Sequence, residues 1–166
     1  MKESSNLSFS EQNLQKVKEI LSRYPQGKEK SALLPLLHMA EAEFGGWLSP
    51  EVMDYVATIL NIQPIEVYEV ATFYSMFNLK PTGKYVLEVC RTGPCCLRGA
   101  ENLLDKIEEK LGIKVGETSA DGLFTLKTVE CLASCGTAPM MQVGDKYYEN
   151  LNEENIETVL QSFRNN

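Results

Sequence analysis

Lys84-Tyr85-Val86-Leu87-Glu88-Val89-Cys90-Arg91-Thr92-Gly93-Pro94-Cys95-Cys96 is where the chain changes character. Within it Tyr85, Leu87 and Val89 alternate with Val86, Glu88 and Cys90, a period of two that predicts a strand with Cys90 at its end. Leu97, Ala100, Leu104, Ile107 and Leu111 return to a helical period and predict a helix that runs to Gly112. Asp121-Gly122 marks a turn before a second strand, Leu123 to Val129, which delivers Cys131. Met140 to Val143 and Lys146 to Glu149, joined by Gly144-Asp145, predict a hairpin. Asn152 is placed to cap a last helix with Ile156, Val159, Leu160 and Phe163 on one face. The order is strand, helix, strand, hairpin, helix, with both cysteine pairs in loops that follow strands.

Upstream, residues 1 to about 80 read as helical. Ser8 with Glu11 forms a capping-box pattern ahead of Leu14, Val17, Ile20 and Leu21. Tyr24-Pro25-Gln26-Gly27 ends that helix, and a second starts near Ser31 with Pro35 close to its first turn, where a missing N–H does least harm. Gly45-Gly46 stops it. Ser49-Pro50-Glu51 opens a third helix and Gln63-Pro64 a fourth. Asn78 to Gly83 reads as a linker.

The 166 residues fit one domain or one domain with a helical extension. With 43% hydrophobic and 23% charged residues the composition is that of an ordinary globular protein. A net charge of -7 argues against a phosphate-binding surface, so no nucleic-acid partner is expected. Neither a secretory signal nor a transit peptide is visible, and no apolar run approaches the ~20 residues of a membrane helix. The expectation is a cytoplasmic protein with no direct membrane insertion, peripheral to the membrane only through a partner.

In a reducing compartment cysteines are more often ligands or catalytic groups than disulfides. Cys90 and Cys95 have four residues between them, and Cys131 and Cys135 have three. Thioredoxin-type exchange needs two cysteines two residues apart, and the sequence has none. Four thiolates can hold zinc tetrahedrally, or a 2Fe-2S cluster with two thiolates on each iron. The wide first gap favours the cluster, and spacing leaves both open. Small residues in the loops, Gly93, Ala133, Ser134, Gly136 and Thr137, let backbone N–H groups approach an anionic centre. Adjacent side chains on a helix point about 100° apart, so Cys95 and Cys96 do not both reach one iron. Cys96 shares spacing with Ala100, Leu103 and Ile107 and reads as a small core residue, leaving Cys95 as the ligand.

Other residues carry less. Arg91 and Arg98 either raise the potential of the centre or are solvated surface charges. His38, the only histidine, reads as structural. Tyr68, Phe73, Tyr74, Met76 and Phe77 form an aromatic and methionine-rich run, core by default but of a kind enriched at partner surfaces. No paired carboxylates and no Gly-rich fingerprint are evident, so no independent active site is expected and a hydride cofactor belongs on another subunit.

Several separated blocks resemble one family, the thioredoxin-like 2Fe-2S ferredoxin subunit of respiratory NADH:quinone oxidoreductase. They are Glu69 to Phe77, Gly83-Lys84-Tyr85, Val89-Cys90 through Cys95, Val129 to Cys135, Ala138-Pro139-Met140 and Tyr147-Tyr148-Glu149. The resemblance implies an α+β fold in which an N-terminal helical bundle (residues 1–80) precedes a thioredoxin-like α/β ferredoxin domain (residues 81–166). It places the family's four ligands on Cys90, Cys95, Cys131 and Cys135, holding one 2Fe-2S cluster. It further implies a partner subunit that binds FMN and NADH, from whose flavin this cluster accepts single electrons as a side acceptor. Equivalent subunits of NAD-linked hydrogenases and formate dehydrogenases share the cysteine pattern, so the host complex stays open here.

Overall fold

Side-chain hydrogen bonds start three of the four N-terminal helices. The first, α1 (Glu11–Leu21), begins at Ser10, whose hydroxyl accepts from Asn13 N–H at 3.4 Å. The cap therefore lies two residues after the expected Ser8. Glu43 decides this, because its carboxylate accepts from Ser10 N–H and from Asn13 Nδ2, both at 2.6 Å, and pins the chain there. A 3-10 turn at Glu29–Ala32 leads into α2 (Leu33–Glu43), which leaves Pro35 in the first turn. Ser49 caps α3 (Pro50–Leu60) by accepting from Val52 N–H at 3.3 Å, and α4 (Pro64–Phe73) starts with Glu66 accepting from Gln63 N–H at 2.9 Å. The four helices share a core built on Leu36, Leu37, Val56 and Val67. The aromatic run divides at the end of α4: Phe77 is buried there, while Phe73, at 78% exposure, Tyr74 and Met76 face outward. His38 is exposed and packs its ring against Phe77, 4.9 Å between centroids.

The computed structural model describes residues 7–165. Its contacts separate into two units between Pro81 and Thr82. The second unit is built on a four-stranded sheet in the order β2-β1-β3-β4, from β1 (Tyr85–Cys90), β2 (Phe124–Val129), β3 (Met141–Val143) and β4 (Lys146–Tyr148). β1 and β2 are parallel, and β3 pairs antiparallel with both β1 and β4. Glu88 stands opposite Lys127 in the parallel ladder and pairs with it at 3.6 Å. The alternation in β1 sends Leu87 and Val89 into the core with Phe124 and Leu126, against Leu103 and Ile107 of α6 (Ala100–Leu111) and Leu160 and Phe163 of α7 (Asn155–Arg164). Each such side chain contributes about 1.5–3 kcal/mol over leaving it exposed, which makes this core the rigid base of the cysteine loops. Asn152 Oδ1 accepts from Glu154 and Asn155 N–H, both at 2.9 Å, in the turn that leads into α7, whose N-cap is Glu154, two residues after the expected Asn152.

One element departs from expectation. The helix expected from Leu97 to Gly112 is two helices, α5 (Gly93–Leu97) and α6, broken at Gly99 with φ +95°. Leu97 does not begin an apolar face. It is 89% exposed.

Candidate metal centre

Both cysteine loops leave the sheet from the same edge. Cys90 ends β1 directly beside Val129, the last residue of β2, so the segment from Glu130 to Gly136 starts level with the one from Arg91 to Cys96. α5 opens at once, with Thr92 as its N-cap and Pro94 in its first turn, and turns Cys95 back toward Cys90. Cys90 and Cys95 are 2% and 1% exposed and share a small apolar cluster with Ala100, Ala138 and Met140. Leu132, from the second loop, packs against that cluster.

The first pair has polar partners on both sides. Cys90 Sγ lies 3.4 Å from Thr92 Oγ1, and as a thiol it donates to Glu130 O at 3.2 Å. Burial pushes the Cys90 thiol up, but the Thr92 hydroxyl and the backbone N–H groups of Thr92 and Leu132, with the Cys95 thiol, outweigh it and hold Cys90 below the ordinary thiol range. Cys95 goes the other way. Burial, its hydrogen bond with Cys90 and the nearby charges of Cys90 and Cys135 push it up to about 11, against the opposing Met140 N–H. The two neighbouring thiols thus shift in opposite directions, with Cys95 the one that keeps its proton, and Cys135 adds to the upward push on Cys95.

The second pair is held differently. Cys131 and Cys135 are exposed, and no core packing fixes them. Cys131 Sγ accepts from Ala133 N–H at 3.4 Å, with Ala133 at φ +57°. Cys135 opens a short 3-10 turn, Cys135–Thr137, whose hydroxyl neighbours Ser134 and Thr137 both donate to Glu149 Oε1, at 2.5 and 2.6 Å.

The structure separates the two adjacent cysteines, and one expectation is corrected. Cys96 was expected in the core, in register with Ala100 and Leu103. The break at Gly99 uncouples it from that register, and Cys95 takes the buried place beside Ala100. Cys96 is half-buried, with its thiol directed at Arg91 O, 3.5 Å away. Arg91 sits on the surface and pairs with Glu101 at 3.6 Å, while Arg98 Nε donates to Ala138 O at 3.4 Å. Both arginines are occupied by protein partners. Sequence reading missed Thr92, Leu132 and Glu149. Thr92, a hydroxyl two residues after Cys90, was the one detectable from spacing.

Among the described residues no three Cys, His, Asp or Glu side chains converge as the ligands of one metal ion. A tetrahedral zinc asks four thiolates to meet at about 2.3 Å from a single point. A two-iron centre takes its thiolates two by two and depends on N–H and O–H donors to its sulfurs. Two buried thiols on one loop and two exposed ones on the other, with Thr92 Oγ1 beside Cys90 Sγ and Ala133 N–H donating to Cys131 Sγ, match the second demand in their donors.

Residues 17–164 match the thioredoxin-like 2Fe-2S ferredoxin family. The chain is 46% identical over 162 residues to the NADH-quinone oxidoreductase E subunit of Rickettsia felis, an alignment that covers 98% of this chain and 97% of that one. It is 44% identical to the mitochondrial NADH dehydrogenase (ubiquinone) flavoprotein 2 of Dictyostelium discoideum, over 99% of this chain and 66% of that one. Among solved structures, an NAD+-reducing NiFe hydrogenase in the air-oxidised state superposes with a TM-score of 0.70 at 19% identity. That match covers 80% of this chain and only 23% of the hydrogenase chain, and it speaks for the fold alone. With the paired cysteine loops at one sheet edge and the match running through both units, the chain belongs to the thioredoxin-like 2Fe-2S ferredoxin family, in the group of NADH-quinone oxidoreductase E subunits.

Proposed function

We propose that this chain is the electron-transfer subunit of an NADH:quinone oxidoreductase, with Cys90, Cys95, Cys131 and Cys135 as the ligands of one 2Fe-2S cluster. A partner subunit of the same complex holds FMN and NADH. The observation that carries the reading is the near end-to-end likeness to the E subunit of the Rickettsia enzyme, which takes in the helical unit as well as the sheet. When bound, the cluster supplies a site that takes up and releases one electron.

The chain's own residues do the rest. Cys90 and Cys95 keep water from half of the site by burial. Thr92 O–H and the N–H groups of Thr92, Leu132, Met140 and Ala133 offset the negative charge that four thiolates bring and that reduction increases. Exposed Cys131 and Cys135 leave the other half open to a partner.

Residues 81–166 then form the cluster domain, and the helices of residues 1–80 form a domain of bundle type. The separation of contacts between Pro81 and Thr82 supports that division. Exposed Ile65, Phe73, Tyr74 and Met76 on the helical domain suit a surface covered in the complex. Among the described residues no helix is long and apolar enough to cross a membrane, so attachment to a bacterial cytoplasmic membrane would run through the other subunits. The test is reduction by NADH: the purified chain alone stays oxidised, and bleaches on adding its flavin-binding partner. Copurification with a hydrogenase subunit in place of quinone-reductase subunits would reassign the host complex.

A further inference from the structure

The two halves of the centre are held by different forces. Cys90 and Cys95 are fixed by burial in the cluster with Ala100, Ala138 and Met140. Cys131 and Cys135 are exposed, and apart from the packing of Leu132 between them the constraint on them comes from hydrogen bonds. It comes from one carboxylate. Glu149 follows β4 directly, and its Oε1 accepts from Ser134 Oγ at 2.5 Å and from Thr137 Oγ1 at 2.6 Å. The two hydroxyls are themselves 2.7 Å apart, and Thr137 Oγ1 also lies 3.2 Å from Ser134 O. Backbone bonds close the knot: Thr137 N–H donates to Ser134 O at 3.1 Å, and Asn150 N–H donates to Thr137 O at 2.7 Å. Cys135 lies between the two hydroxyl residues, and Cys131 is three before Ser134. The loop is thereby tied to the end of a sheet strand from which it is far in sequence.

We propose that Glu149 is the positioning residue of the second cysteine pair, acting through Ser134 and Thr137 rather than by touching the metal centre. This rests on the reading that Cys131 and Cys135 are ligands. A charged acceptor on two hydroxyls is stronger than a neutral one, and it acts here on a stretch whose two cysteines are exposed. The side chain works as a hydrogen-bond acceptor. Glutamine, which keeps an acceptor oxygen, should replace it in part, and alanine should not.

The experiment uses the full chain with its cluster, comparing wild type with Glu149→Ala, Glu149→Gln and Ser134→Ala/Thr137→Val. Iron loss to a ferrous chelator and the EPR spectrum of the reduced protein are followed together. Glu149→Ala is expected to lose iron about tenfold faster, the scale of one lost charge-assisted hydrogen bond, with a shifted EPR line shape. Glu149→Gln should fall between it and wild type. Alanine and glutamine remove the same charge, so a difference between them isolates the hydrogen bonds. Ser134→Ala/Thr137→Val should match Glu149→Ala, and combining all three should add nothing. If Glu149→Ala does not fold, the hydroxyl variants carry the same prediction. Iron loss and EPR spectra unchanged from wild type in the folded variants would overturn the proposal. Wild-type protein without iron would instead overturn the ligand reading on which it rests.

Discussion

Cys90 stands directly beside Val129 in the parallel ladder of β1 and β2. Two strands that end level send their following loops out of one sheet edge. That is why two cysteine pairs 36 to 45 residues apart in sequence leave the sheet side by side. The register between these strands therefore positions the centre, and whatever disturbs it will be felt there.

Gly83 guards that register. A Cβ at this position would lie 2.9 Å from the backbone C and N of Phe124, and Gly83 N–H donates to Thr125 Oγ1 at 2.6 Å. Glycine allows β1 to approach β2 here. Gly83→Ala is expected to cost about 1–3 kcal/mol, the usual range for overpacking. Denaturant unfolding of the cluster-free chain reads that loss directly. Stability equal to wild type would mean that the strands shift without penalty.

On the proposed ligand set, Thr92 tunes the cluster. A sulfur bound to iron carries no proton, so the contact between Thr92 Oγ1 and Cys90 Sγ at 3.4 Å becomes a hydroxyl donating to sulfur. Such a bond favours the more negative, reduced state. Thr92→Val removes ~1 kcal/mol of that preference and should lower the reduction potential by about 40 mV, since one-electron couples move 59 mV per tenfold change. Redox titration followed by EPR measures it. An unchanged or raised potential would exclude the hydroxyl as donor.

The adjacent cysteines separate cleanly by substitution. Cys96→Ala should keep two irons per chain and the wild-type spectrum, because Cys96 is turned toward Arg91 O and lies outside the buried cluster. Cys95→Ala should lose the cluster or change its spectrum outright. Iron analysis and visible absorption of the two variants decide it, and an effect of Cys96→Ala as large as that of Cys95→Ala would reverse the assignment.

Much of this arrangement was legible in sequence because the signals are local. The period of two over Tyr85–Val89, the Ser49-Pro50 start and the Gly144-Asp145 turn each rest on neighbouring residues, and the structure has a strand, a helix and a hairpin at those places. The break at Gly99 was not legible. Apolar spacing continues across it from Leu97 to Ala100, and only the left-handed backbone of Gly99 shows that the two segments are different helices. That miss carried Cys96 into the core by mistake. Glu149 was invisible for another reason: its partners are 12 and 15 residues away, and no spacing rule links a carboxylate after one strand to hydroxyls after another. The shift of the first cap from Ser8 to Ser10 has the same origin, a tertiary contact from Glu43.

Glu43 gives a pH dependence with a definite sign. Burial pushes its carboxyl up, but the Asn13 amide and Ser10 N–H, helped by Lys16, outweigh that and hold it below the usual carboxylate range. A folded-state pKa below the unfolded one stabilises the fold above the unfolded value, and that contribution is lost as pH falls through the folded one. Wild type should therefore melt above Glu43→Gln at neutral pH, and the gap should close on acidification below the ordinary glutamate range. Thermal melts across pH read this, and a gap that persists in strong acid would show that charge is not its source.

The central claim is that the four cysteines hold two irons. Metal and acid-labile sulfide analysis of the purified full chain, with EPR after reduction, tests it most directly. The account predicts a reddish-brown protein with two irons and two sulfides per chain and a one-electron signal on reduction. A colourless protein carrying one zinc per chain would contradict it.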